Sequence, residues 1–314
     1  MADGLNSMLT YHTTTRPQLP ELLEILLAHL PDDLRLPRIE LTFRQCEQEP
    51  YQESNAQPRT RYEIFHFERD GQMIGGVFSM LRPDGTLLSL QPAVVPEEPE
   101  SSLRLAYEKL IEFAIRHHAR LIMLLVDFQQ SADVLLLEWF GFAKVSDLLN
   151  LNAERMVFPT HRPTGLLTFR PYKNEFWDRM TALVEKTYIN THDFPQLTGL
   201  VPADSILRGY QESHIFDPSL WYFIEFQTQI IGTLLLTKIE DFEHLELTYL
   251  GLAEEFRGRG LSREIVQFAQ YIAKQRNSSH LLAAVDSANI PALNTYLRCG
   301  FQIHDQKEIY VRYL

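Results

Sequence analysis

The chain has 314 residues, 45% hydrophobic and 22% charged, a composition that fits folded globular domains and excludes collagen-like, coiled-coil and disordered chains. At roughly 150 residues per domain, the length predicts two domains. Lys and Arg number 29 against 41 Asp and Glu, and the resulting charge of −12 has the wrong sign for coating nucleic acid but suits long-range steering of cationic partners.

In chain order, a strand from Leu9 precedes a helix with apolar Leu22, Leu23, Ile25 and Leu26, and Gln45 to Arg59 reads as a long polar loop. Strands at Tyr62 to Phe67 and Gln72 to Met80 flank Arg69-Asp70-Gly71, where Asp-Gly marks a tight hairpin because the turn needs positive φ. Leu87 to Val95 reads as a strand, Ser101 to His118 as an amphipathic helix and Leu121 to Val126 as a buried strand. A short helix from Ser131 to Trp139 closes at Gly141, strands follow near Val145 and Met156, and His161 to Gly165 is linker-like. The second half repeats the order: strand Leu166 to Arg170, helix Lys173 to Tyr188, loop and helix to Gln211, strands Trp221 to Phe226, Ile230 to Ile239 and His244 to Leu252. Helix Leu261 to Lys274, strand Leu281 to Asp286, helix Pro291 to Cys299 and closing strands complete it.

The halves also match in detail, because Val126-Asp127 and Gly141-Phe142 recur at Val285-Asp286 and Gly300-Phe301, both 159 positions on. That is the signature of a duplication. The expected fold is α/β, with a central mixed sheet flanked by helices in each of two tandem domains, 1–160 and 161–314. Cys46 and Cys299 have no C-x-x-C or Cys/His spacing, so they read as reduced thiols with no structural metal, and Cys299 as a small buried side chain. Met1 to Leu9 lacks a basic n-region and an apolar h-region, and no apolar run approaches a membrane span, so a cytoplasmic protein without membrane or nucleic-acid partners is expected. His117-His118 reads as a solvated pair, and Trp139 and Tyr222-Phe223 as core.

The chemistry is concentrated in Phe256-Arg257-Gly258-Arg259-Gly260-Leu261-Ser262, between an apolar strand and an amphipathic helix. Amides at a helix N-terminus, glycines that permit close approach and the cations Arg257, Arg259 and Arg263 suit a phosphate-bearing ligand. It is neither a dinucleotide fingerprint nor a P-loop. A second constellation, Asn289-x-x-Ala292-x-x-x-Tyr296-x-x-x-Gly300-Phe301, sets a small residue and a phenol on one helical face, with Asn289 before Pro291 as a capping residue.

These two motifs resemble those of the GCN5-related N-acetyltransferase family. Arg257 to Ser262 is similar to its Q/R-x-x-G-x-G/A acetyl-CoA loop, with Ser262 where Gly or Ala is usual, and residues 289 to 301 are similar to its second motif. The resemblance covers residues 165 to 314. It implies acetyl-CoA as co-substrate, with pantetheine along the backbone of Leu250, Gly251 and Leu252 and pyrophosphate on the amides of Arg257, Gly258, Arg259, Gly260, Leu261 and Ser262. Asn289 and Ala292 would lie on its other side, and the N–H near Leu252 would polarise the thioester carbonyl. Tyr296 matches the family's general acid, a phenol that reaches the thiolate still protonated. An alkylamine has a pKa near 10.4, so a base is needed, and Glu246 or a water chain is expected to serve. Asp286 and His192-Asp193 are candidate acceptor contacts.

In the first half, the same offset puts Glu98 in place of Arg257, Ser101 in place of Gly260, Gln130 in place of Asn289 and Leu137 in place of Tyr296. The loop Pro96-Glu97-Glu98-Pro99-Glu100 sets carboxylates and amide-free prolines where phosphates would sit, so this domain is expected to keep the fold without binding acetyl-CoA. The reading is an N-acetyltransferase acting by direct attack on a small-molecule or peptide amine, cationic by the charge balance. Its alternatives are a non-catalytic acetyl-CoA-binding sensor and a transferase for longer acyl groups. Nothing in the sequence fixes the acceptor or the oligomeric state.

Overall fold

The computed structural model describes residues 9–28, 61–82, 84–127, 134–212, 216–239 and 244–314. The stretch Gln45 to Arg59, which includes Cys46, and Gln130 with the start of the helix expected from Ser131 lie outside the described residues. The chain forms two compact units, residues 1–144 with 308–314, and residues 145–307.

The first unit contains β1 (Thr10–Thr13), α1 (Leu19–Leu26), β2 (Arg61–Arg69), β3 (Gln72–Leu81), β4 (Thr86–Leu90), β5 (Ala93–Val94), α2 (Glu100–Arg116), β6 (Leu121–Asp127) and α3 (Val134–Trp139). The sheet order is β1-β2-β3-β4-β6, with β5 beside β3. Asp70 (φ 54) and Gly71 (φ 76) make the expected hairpin turn. The strand expected over Leu87 to Val95 is broken in two. Pro92 has no N–H to give a ladder, so β4 pairs with β6 as far as Leu90, and β5 pairs separately with Gly75 and Gly76. The apolar face of α2, including Ala106, Tyr107, Leu110 and Ala114, packs with Leu124 and Val126 of β6. Trp139 is not in the core as expected: it is 63% exposed, with the Arg104 guanidinium 4.6 Å above its ring.

The second unit contains β7 (Ala143–Glu154) from Val145 on, β8 (Leu167–Pro171), α4 (Trp177–Tyr188), α5 (Ala203–Glu212), β9 (Trp221–Phe226), β10 (Gln229–Ile239), β11 (His244–Leu252), α6 (Leu261–Gln275), β12 (His280–Asp286), α7 (Ile290–Arg298) and β13 (Gln302–Tyr313) as far as Lys307. Its sheet runs β7-β12-β11-β10-β9-β8. The units do not divide at 160/161, because β7 pairs antiparallel with β12 from Leu148 to Glu154, and residues 308–314 group with the first unit. The strand expected near Met156 is a single 3-10 turn, Arg155–Val157. Both faces of the sheet are covered, which is why β9 reads as the nearly continuous apolar run Trp-Tyr-Phe-Ile. Tyr222 and Ile224 pack with Ile265, Phe268 and Ala269 of α6, whereas Trp221 and Phe223 pack with Met180, Leu183 and Val184 of α4 and Leu207 of α5. Each such burial stabilises the unit by about 1.5–3 kcal/mol. Among the described residues, no helix is long and apolar enough to cross a membrane.

Candidate active site

The site begins where two parallel strands part. β11 pairs with β12 only from His244 to Leu247, against His280 to Ala283. On the other edge of β11, Leu235 faces Tyr249 and Leu236 faces Leu247, so Thr248 is an extra residue, a β-bulge that bends the strand. Its hydroxyl is 2.6 Å from that of Thr237. Ala253 N–H donates back to Ile231 O at 2.8 Å, and the alternation of a strand then turns the N–H groups of Leu250 and Leu252 toward the opened gap. Leu252 is buried and Leu250 packs on the same core, so here the backbone faces the gap. Gly251 is required by close approach, since a Cβ there would lie 2.6 Å from Thr187 Oγ1.

Beyond β11 the chain enters the glycine-arginine loop. Gly258 (φ +70) and Gly260 (φ +77) both take the left-handed conformation, and a Cβ on either would meet open space. Gly260 is the N-cap of α6 and offers no side chain to its amides. Among the described residues, no side chain and no backbone outside the helix takes the N–H groups of Gly258, Arg259, Gly260, Leu261 or Ser262. Arg259 lies over the Phe256 ring at 5.1 Å, and among the described residues neither Arg259 nor Arg263 is in an ion pair. The cradle therefore combines free amides, room and positive charge, which fits a pyrophosphate. Glu264, in the first turn of α6, points away and accepts from Leu166 N–H and Leu167 N–H at 2.9 and 3.1 Å.

Arg257 does different work from that expected of it. Its guanidinium donates to Leu252 O (2.9 Å), Ile189 O (2.9 Å), Asn190 O (2.8 Å) and Thr187 O (2.6 Å), and its N–H to Glu254 O at 3.1 Å. The side chain satisfies the last carbonyls of α4 and ties them to the end of β11. Arg257→Ala should therefore destabilise the fold by about 2 kcal/mol, read as a lower urea midpoint. Arg257→Lys should recover little of it, because one ammonium cannot reproduce the fork.

The second motif is α7. Asn289 caps it, Oδ1 accepting from Ala292 N–H at 3.3 Å, with Pro291 in the first turn, and Ala292 packs against the α6-side core. Tyr296 is 7% exposed, its ring 5.3 Å from that of Phe301, and its hydroxyl makes no hydrogen bond to another described residue. Burial, reinforced by the Asp193 charge, raises its pKa above that of a free phenol, so it stays protonated through neutral pH. Burial likewise raises the Cys299 thiol, which leaves it a poor nucleophile.

The loop after α4 closes the far side. Asp286 is 1% exposed, and its carboxylate accepts from Phe194 N–H (3.0 Å), Ala288 N–H (2.9 Å) and the Ser146 hydroxyl. Those bonds make it a clamp for the loop. Asp193 Oδ1 accepts from Asp286 N–H at 3.2 Å and its carboxylate also bonds the Asn289 side chain, while His192 is exposed. Surrounding protein, then the Asp286 carboxylate, pushes the Asp193 pKa up against the lowering effect of those hydrogen bonds. Glu246 lies half-buried in the still-paired part of β11, opposite Leu282 and Thr237. Sequence reasoning missed Tyr188 and Tyr249, whose rings meet edge to face at 5.9 Å, with the Tyr249 hydroxyl 2.6 Å from Thr187 Oγ1. Among the described residues, no group of three or more His, Cys, Asp and Glu is placed to hold a metal ion.

Residues 177–301 match the model of the Acetyltransferase (GNAT) family. No curated protein matches the sequence. A GCN5-related N-acetyltransferase from Sphaerobacter thermophilus is similar in structure, with a TM-score of 0.69 and 16% identity over 97% of this chain and 95% of that one. A tandem GNAT protein from the clavulanic acid biosynthesis pathway gives a TM-score of 0.60 and 12% identity over 98% of both chains. A GCN5-related glucosamine N-acetyltransferase region of a fungal multi-domain GH3 β-N-acetylglucosaminidase gives 0.67 and 14%, over 97% of this chain and 38% of that one. At these identities the structures share a fold. With an open gap between β11 and β12, a glycine cradle at α6 and a matching family model, residues 177–301 form an Acetyltransferase (GNAT) family domain, and the chain has the fold of a tandem GNAT protein.

Proposed function

We propose that the protein is an N-acetyltransferase in which residues 145–307 bind acetyl-CoA and pass its acetyl group to a primary amine by direct attack. The observation that carries this reading is one arrangement: strand backbone opened at Thr248 to Leu252, an amide cradle at Gly258 to Ser262 and a Tyr296 hydroxyl, neither of which has a hydrogen-bond partner outside its own helix among the described residues. Gly258, Arg259, Gly260, Leu261 and Ser262 would hold the pyrophosphate, Leu250 to Leu252 the pantetheine, and the acetyl thioester supplies the electrophilic carbonyl. The N–H near Leu252 faces the developing oxyanion. Tyr296 donates a proton to sulfur, and a carboxylate of the chain takes one from the amine. Asn289 and Asp286 position the loop, since their side chains are spent on Ala292, Asp193 and Phe194. That the Tyr296 hydroxyl has no hydrogen-bond partner among the described residues favours catalysis over a sensor that only binds acetyl-CoA. Release of CoA thiol on mixing protein, acetyl-CoA and an amine tests this, and binding without release under any amine or acyl chain would contradict it.

In this reading the first unit binds no acetyl-CoA. Glu98, just before α2, accepts from Arg69 Nε and Nη2 at 2.9 and 3.0 Å and from the Ser102 hydroxyl at 2.7 Å. A carboxylate of the chain itself thus sits at the N-terminus of α2, where a phosphate would lie. The Arg69 hydrogen bond holds the Glu98 carboxyl below the usual range. A carboxylate lowered on folding adds stability above its unfolded pKa of about 4.3 and loses it as pH falls through the folded value. Glu98→Gln should therefore be less stable than wild type by about 1–2 kcal/mol at pH 7, a difference that shrinks below about pH 4 in urea titrations. The protein is read as cytoplasmic, and the excess of acids supports a cationic acceptor.

A further inference from the structure

The loop after α4 brings a second carboxylate to the end of β12 and the start of α7. Asp193 is exposed as a residue, yet its carboxylate is fixed by the Asp286 N–H at 3.2 Å and by Asn289, the cap of the helix that carries Tyr296. Asp286 holds the next residue, Phe194, by its N–H at 3.0 Å, so the position does not depend on a loose loop. Tyr188 and Tyr249, whose rings stand edge to face at 5.9 Å, lie near enough for the Asp193 charge to raise both phenols, as it raises Tyr296. Glu246 lies back in the paired part of β11. An anion among aromatic rings is chemistry that suits an alkylammonium.

Resting on the acetyl-transfer reading, we propose that Asp193, rather than Glu246, seats the ammonium of a cationic alkylamine acceptor and takes its proton. The ammonium gives one proton to the Asp193 carboxylate, and the freed lone pair forms the C–N bond to the acetyl carbon. The C–S bond breaks with its electron pair on sulfur, which takes the Tyr296 proton. The second proton of the nitrogen returns to the Tyr296 phenolate, and Asp193 releases its own to water, so one proton is set free per turnover. Burial, working against its hydrogen bonds, holds the Asp193 carboxyl above its ordinary range, which eases its uptake of a proton.

The test compares nucleophiles that need a base with one that does not. CoA release is measured with spermidine and glucosamine, which are protonated, and with hydroxylamine, whose nitrogen is already neutral, while calorimetry follows acetyl-CoA binding. Asp193→Asn should lose about 100-fold with the protonated amines and only a few-fold with hydroxylamine, and Asp193→Glu should recover part of the loss. Glu246→Gln should affect both kinds of nucleophile alike. Equal loss on both nucleophiles in Asp193→Asn, a selective loss in Glu246→Gln instead, or wild-type turnover of hydroxylamine alone would overturn the assignment. Failure to bind acetyl-CoA at all would remove the transferase reading itself, and this assignment with it.

Discussion

Tyr296→Phe is expected to bind acetyl-CoA as wild type does and to lower kcat by about 100- to 1,000-fold, the range of a lost general acid. The ring keeps its contact with Phe301, so only the hydroxyl is removed, and that hydroxyl supports nothing else among the described residues. Because burial raises its pKa, the phenol is still an acid at alkaline pH, and wild-type kcat should not fall between about pH 7 and 9 through its ionisation. Single-turnover rates with saturating acetyl-CoA check both statements. An unchanged rate in the variant would mean that water protonates the thiolate.

Gly260→Asp should fold and yet lose acetyl-CoA affinity by at least about 100-fold, which is about 2.7 kcal/mol. The backbone there is left-handed at φ +77, which costs a residue with Cβ about 1–2 kcal/mol, but open space surrounds the new side chain. The carboxylate would enter the cradle and repel phosphate across a helix N-terminus that otherwise attracts it. Gly260→Ala separates the two effects, since it carries the strain without the charge. Its affinity should stay within about ten-fold of wild type while its urea midpoint falls.

The backbone of the site was legible in the sequence and its side-chain networks were not. Gly258 and Gly260 announce a turn that needs positive φ, and Asn289-Pro291 announces a helix start, because both signals are local. Arg257 looked like a phosphate ligand by its neighbours, yet its partners are carbonyls of Thr187, Ile189 and Asn190, far away along the chain. Asp286 was read as an acceptor contact for the same reason, and its partners Phe194 and Ser146 belong to other segments. Tyr249 was missed because one extra residue at Thr248 reverses the alternation of the strand, and no pattern in β11 marks that bulge. The domain boundary was placed at the linker-like residues 161–165, whereas β7 had already entered the second unit by pairing with β12.

Calorimetric titration of acetyl-CoA into the intact protein tests the central claim most directly. One site per chain, abolished by Gly260→Asp and kept in Tyr296→Phe, is the result that follows from a cradle at α6 and a first unit whose own Glu98 fills the corresponding place. Two sites per chain, or no binding at millimolar acetyl-CoA, would contradict it.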